Sequence, residues 1–91
     1  MEYEWDPEKD RLNRERRGLS FAEAATVFID PLAATVPDDR YPYDELRFRT
    51  TGYTVTGRLV IVAHTDRGER IRIISARDAK SKERRQYEQR T

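Results

Sequence analysis

Two apolar β runs joined by a short glycine-containing turn constrain this chain's fold most. Leu59–His64 is almost wholly aliphatic, Thr65–Gly68 reads as a turn, and Glu69-Arg70-Ile71-Arg72-Ile73-Ile74-Ser75-Ala76-Arg77 alternates charge with isoleucine. Runs of this length bounded by Gly read as a β-hairpin. Side chains alternate sides along a strand, so isoleucines can enter a core while guanidinium groups stay outside. In this pairing Val60, Val62 and His64 are expected to share a face with Ile71, Ile73, Ser75 and Arg77. Leu59, Ile61 and Ala63 then share the other with Arg70, Arg72 and Ile74. A strand needing only solubility would mix charge signs. This one gathers cations, which suits a polyanion.

The rest of the chain supplies helices and further strands. Glu2-Tyr3-Glu4-Trp5 alternates as a short strand. Asp6 as N-cap and Pro7 at the first helical position start a helix over Pro7–Arg17, and Gly18 stops it. Ser20 and Glu23 form a capping box for a second helix whose stripe is Phe21, Ala24, Ala25 and Phe28, ended by Asp30-Pro31. Leu32–Val36 reads as an edge strand closed by Pro37, and Asp38–Asp44 as an acidic loop. Leu46–Val55 resumes β character, with Leu46, Phe48 and Thr50 on one side and Arg47, Arg49 and Thr51 on the other. Ala79–Arg90 is expected as a last helix, capped by Asp78 or Ser81 and anchored by Tyr87. The expected class is therefore α+β, an antiparallel β-sheet of about four to five strands with two N-terminal helices and one C-terminal helix.

Length limits what this fold can carry. Ninety-one residues make one small domain, expected to span 1–91 with no room for a cofactor domain. The absence of cysteine excludes disulfides and thiolate metal sites, and a single histidine with scattered acids gives no metal-ligand spacing, so neither metal nor cofactor is expected. No Walker or dinucleotide glycine pattern occurs. There is no run of 18 apolar residues, and the start Met-Glu-Tyr-Glu-Trp-Asp is unlike a signal peptide. A soluble, cytoplasmic protein is the expectation. The net charge of +1 conceals a split: residues 1–46 carry 6 Lys/Arg against 12 Asp/Glu, and residues 47–91 carry 12 against 5. Such asymmetry points to a basic face for nucleic acid, the alternative being that the two halves fold together and neutralise each other.

RNA brings its own nucleophile, the 2′-OH, so cleavage needs cations around the phosphate and groups to move protons. Arg47, Arg49, Arg70, Arg72, Arg77 and Lys80 are the candidate phosphate contacts, because guanidinium forks match phosphate oxygens. His64 and Glu45 are the candidate proton movers, with Tyr43 and Tyr87 as second choices. Each has a plainer use. His64 can be a strand-end core residue, Glu45 can pair with Arg47 or Arg49, and Arg72 and Arg77 can pair with the acidic loop or with Asp30. From residues alone the reading stops at a polyanion-binding α+β domain, with a non-catalytic nucleic-acid-binding or interaction module as the alternative.

Several words of the chain go further. Glu4-Trp5-Asp6-Pro7, Gly18-Leu19-Ser20-Phe21-Ala22-Glu23-Ala24, Phe28-Ile29-Asp30-Pro31, Glu45-x-Arg47, Arg70-Ile71-Arg72-Ile73-Ile74-Ser75-Ala76-Arg77 and Glu83-Arg84-Arg85-x-Tyr87-Glu88 resemble the BrnT toxin family over nearly the whole length. The resemblance implies a RelE-like fold and a metal-independent endoribonuclease that inhibits translation. Its implied partner is a ribbon-helix-helix antitoxin (BrnA-like) forming a hetero-oligomer with it. Carried onto this sequence, it reaches Glu45, Arg47, Arg72 and Arg77, with Lys80 and Arg84 following on the helix. Joined with the residue-level candidates, the expected catalytic set is Glu45, Arg47, His64, Arg72 and Arg77, and the expected RNA-binding set Arg49, Arg70, Lys80 and Arg84. Relatives commonly have Lys-His-Gly where this chain reads Arg16-Arg17-Gly18.

Overall fold

The central hairpin forms, and it is longer than the sequence suggests. In the computed structural model, which describes residues 1–40 and 45–89, strand β4 spans Leu59–Arg67 and strand β5 Arg70–Asp78. Only Gly68-Glu69 separates them, Gly68 taking the positive φ of 65° that a tight turn requires. Before them come β1 (Glu2–Trp5), helix α1 (Pro7–Arg17), helix α2 (Phe21–Ala25), a 3-10 turn (Thr26–Ile29), β2 (Ala34–Pro37) and β3 (Phe48–Tyr53); helix α3 (Ser81–Gln89) follows. The sheet order is β1-β5-β4-β3-β2.

Three neighbouring pairs are antiparallel, as expected of consecutive strands. The fourth differs from the expectation: β1 joins the edge of β5 in parallel, with Tyr3 opposite Ile71 and Trp5 opposite Ile73. Nothing local sets that direction, because the partners lie some seventy residues apart.

Sequence signals at the ends of the first helix are realised in detail, and those at the start of the second in part. The Asp6 carboxylate accepts the Glu8 N–H at 2.9 Å, and Gly18, at φ 61°, closes α1 by donating its N–H to the Arg14 carbonyl at 2.9 Å. Ser20 Oγ accepts the Glu23 N–H at 3.0 Å, while the Glu23 carboxylate accepts from the Thr56 hydroxyl and not from the Ser20 N–H that the expected box would use. The expected second helix tightens to 3-10 geometry after Ala25, and Gly52 leaves room for this turn against β3. A Cβ at Gly52 would stand 3.2 Å from the Ala33 Cβ and 3.4 Å from the Val27 Cβ.

The core lies between one sheet face and α2 with its 3-10 turn. Leu19, Phe21, Ala24, Ala25 and Val27 pack on Val60, Val62, Ile73 and Ala76, with Tyr3, Trp5 and Phe28 at the margin. Helix α3 packs on the opposite face, where the Tyr53 and Tyr87 rings meet edge-on at 5.4 Å. Its anchor is Asp30, whose Oδ2 accepts from the Tyr87 hydroxyl at 2.5 Å and the Tyr53 N–H at 2.8 Å. Burial pushes this carboxyl up, but donors from Tyr53, Tyr87 and Leu32 outweigh it and hold Asp30 below the usual range.

The expected division of faces is corrected by one residue. A bulge between Ala63 and His64 moves the register, so that His64 opposes Ile73 while Ala63 opposes Ser75 and Ile61 opposes Arg77. Because the side-chain period is two, one extra residue reverses the facing of everything beyond it. Ser75 and Arg77 therefore leave the core face and join Arg70 and Arg72.

Candidate nucleic-acid interface

The bulge collects arginines on the face away from the core. Arg70, Arg72 and Arg77 on β5 share it with Arg49 on β3, which lies opposite Ala63. Arg47, two residues before Arg49, is half-buried, and its carbonyl accepts the Asp38 N–H at 2.7 Å. At the α1 end of the face, Arg17, Arg40, Arg49 and Arg77 surround a cavity of about 70 Å³ above Ser75 and Ala63. Among the described residues no carboxylate lines it.

The guanidinium groups of Arg40, Arg49 and Arg77 each lie beside an identifiable carboxylate. Asp38, its side chain 1 % exposed, accepts from Arg40 at 2.8 and 3.0 Å and lies 3.8 Å from Arg49 Nε. The Arg40 hydrogen bond, against the opposing effect of burial, keeps the Asp38 carboxyl below its usual range. Arg49 Nε is buried and makes no hydrogen bond among the described residues. Arg58 bonds Asp78 at 3.1 and 2.9 Å and donates to the carbonyls of Gly18 (2.6 Å) and Arg17 (3.2 Å), fastening the end of α1 beside β5. That is what brings Arg17 to the cavity.

Arg77 makes a two-pronged pair with Glu83 of α3, both contacts 2.8 Å, and its Nη1 also donates to the Asp78 carbonyl at 3.2 Å. Glu83 further accepts the Lys80 N–H at 2.8 Å. Arg77 holds the Glu83 carboxyl down to about 2, so at neutral pH it is an anion that does not take up protons. A guanidinium has five N–H donors. Glu83 engages the Nη1/Nη2 end, which leaves the Nε–H and the outer Nη2–H as a second fork.

The predicted catalytic set does not form one cluster. Arg70 pairs with Glu2 at 3.0 Å, Arg72 with Glu4 at 2.7 Å, and Glu45 with Arg67 at 3.3 Å. The sequence had offered other partners, the acidic loop or Asp30 for Arg72 and Arg77, and Arg47 or Arg49 for Glu45. The Arg67/Arg70 pair stands six register steps from Arg77, roughly 20 Å at about 3.3 Å per residue. Lys80 precedes α3, and Arg84, on it, donates to the Tyr53 hydroxyl at 3.3 Å. Tyr43 lies outside the described residues, and Tyr87 is committed to Asp30. Arg17 and Arg40 are the residues that sequence reasoning missed; the signal for Arg17 was its position where relatives carry histidine.

His64 lies under the other face, 4 % exposed, with Phe28 edge-on at 5.0 Å and Phe48 stacked at 5.8 Å. Its Nε2 and the Thr50 hydroxyl are 2.7 Å apart, and Nδ1 has no partner among the described residues. Burial lowers its pKa below the usual imidazole value, against a smaller opposing pull from Asp66. The neutral ring is thus the folded form, while the unfolded chain takes a proton near 6.5. Stability from this group is present above that value and lost as pH falls below it. Thermal melts should show a lower midpoint at pH 5.5 than at 7.5, with His64→Gln narrowing the difference.

Comparison with known proteins agrees with this architecture. The family model described as "Ribonuclease toxin, BrnT, of type II toxin-antitoxin system" matches residues 5–83. Among solved structures, the Brucella abortus ribonuclease toxin BrnT superposes with a TM-score of 0.69 at 24 % identity, over 89 % of this chain and 99 % of that one. No curated protein matches the sequence. At that identity the superposition speaks for the fold, and the family model for kinship.

Proposed function

We propose, from the premise that this chain belongs to the BrnT family of ribonuclease toxins of type II toxin–antitoxin systems, that the arginine face is its RNA site. Arg77, Arg49 and Arg17 would grip the scissile phosphate at the small cavity. The 2′-oxygen attacks phosphorus and the P–O5′ bond breaks. The 2′-OH proton passes to water, and water protonates the leaving 5′-oxygen. The guanidinium groups stabilise the charge that gathers on the phosphoryl oxygens, the effect preorganised donors deliver best.

The single observation that carries this reading is the four-arginine cavity without a carboxylate in its described lining. Arg47, Arg72 and Arg70 extend the face away from it, and Lys80 and Arg84 flank it on the α3 side, so RNA would lie along the face over several nucleotides. Glu45, at the far rim, belongs to this track and not to the phosphate at Arg77. His64, under the opposite face, is assigned to the core. No group of three or more His, Cys, Asp or Glu that could hold a metal ion occurs among the described residues, and we propose a metal-independent reaction. No helix among the described residues is long and apolar enough to cross a membrane. The proposed setting is the cytoplasm, the proposed consequence inhibition of translation, and the proposed partner a ribbon-helix-helix antitoxin.

The test uses purified protein, a single-stranded RNA and excess EDTA. Cleavage leaving 2′,3′-cyclic phosphate ends is expected. Binding without cleavage would return the chain to the non-catalytic alternative. With about four phosphates neutralised, log K against log salt should have a slope of about −3, and Arg49→Ala should lower its magnitude by about 0.7.

A further inference from the structure

We infer that the groove between β2 and α3 is where the antitoxin docks, through an apolar side chain seated in the groove and a carboxylate turned to Arg49. This rests on the family reading, which supplies the antitoxin; what is added is the surface and its chemistry. The groove has a volume of about 510 Å³, within the range that holds an anchoring side chain with its neighbours. Ala33, Ala34 and Val36 form one wall, Ile61 part of the floor, and Gln86 and Tyr87 the α3 wall. Val36 is 46 % exposed although it sits on a strand, an apolar residue with no cover of its own among these elements.

Two observations favour protein over RNA in this groove. Tyr87 is 5 % exposed with its hydroxyl bound to Asp30, so its ring is unavailable for stacking a base. The small and branched walls suit an aliphatic or aromatic side chain instead. The free edge of β2 ends in Pro37, which lacks an N–H, so an added strand would be poorly held and side-chain docking is the better mode.

Charge and continuity specify the rest of the occupant. Arg49 and Ile61 are walls of both this groove and the arginine cavity. An acidic residue next to the apolar anchor would therefore reach Arg49, and the segment bearing both would lie across the entrance to the cavity. Neutralisation then follows from occlusion together with charge pairing, without a change in fold.

The experiment measures binding of the full chain to the protein encoded by the adjacent reading frame, alongside RNA cleavage. Val36→Trp and Gln86→Trp fill the groove from opposite walls. Both positions are exposed, and thermal melts report whether each variant folds. Each should weaken antitoxin binding by at least about tenfold, or about 1.4 kcal/mol, with RNA cleavage close to wild type. Unchanged antitoxin affinity in both variants overturns the inference. Cleavage lost in step with antitoxin binding overturns it in favour of RNA in the groove, and failure of the wild-type chain to bind that protein overturns it as well. Arg77→Ala separates the two readings: cleavage retained in Arg77→Ala while Val36→Trp loses the antitoxin would discard the RNA site and keep the dock.

Discussion

Replacing Arg77 by Ala is expected to lower RNA cleavage by about 10²–10³-fold, the cost of losing one well-placed charge-stabilising donor in a transition state. The size follows from placement. Arg77 is set by the bulge, steadied by Glu83, and lines the cavity. Arg77→Lys keeps the charge but not the planar fork, and should fall between wild type and Ala. The Arg77–Glu83 pair is about three-quarters buried, with side chains 25 % and 23 % exposed. Its loss therefore has some structural cost, and the double variant Arg77→Ala/Glu83→Ala controls for the stranded carboxylate. Cleavage measured on protein with a cooperative melt settles the matter. Wild-type rates in folded Arg77→Ala would remove this residue from the site.

The largest effect on stability is expected from Phe21→Ala. Phe21 is 1 % exposed, meets Trp5 edge-on at 6.2 Å and belongs to the cluster that holds α2 on the sheet. Its N–H also donates to the Asp10 carboxylate at 2.8 Å, so the ring sits where α1, α2 and β1 converge. Truncating a buried Phe costs about 3–5 kcal/mol through lost burial and the cavity left behind. In a domain of this size that corresponds to a melting temperature lower by at least about 12 °C. A shift of only a few degrees, by calorimetry, would mean that the core closes over the gap.

How much of this was legible in the sequence depends on how local each signal is. Asp6-Pro7 and Gly18 bound the first helix to the residue, and Ser20 caps the second as its pattern announces, because a cap is decided within four residues. The alternation in Glu2–Trp5 gave a strand with Tyr3 and Trp5 inward, but its parallel pairing with β5 depends on distant partners that no local pattern encodes. The bulge was invisible for a similar reason. Arg70–Arg77 reads as one uninterrupted alternation, and only pairing against β4 shows that Ile74 is the extra residue. That single residue decides whether Arg77 joins the basic face. The arginine types were readable, whereas their sorting into a cavity group and a rim group was not. Arg17 was hidden because a helix-terminal arginine looks like a solvated cation until Arg58 is seen tying its carbonyl to the sheet.

The most direct measurement is a nuclear magnetic resonance titration of the protein with an oligoribonucleotide carrying a 2′-deoxy residue at the cleavage position. The Nε–Hε signals of Arg17, Arg49, Arg72 and Arg77 are expected to move together as the nucleotide is added, while Trp5 and the amides of α2 stay in place. Shifts confined to Trp5, Tyr3 and α2, with the arginine signals unmoved, would put the RNA on the other side of the sheet and contradict the account.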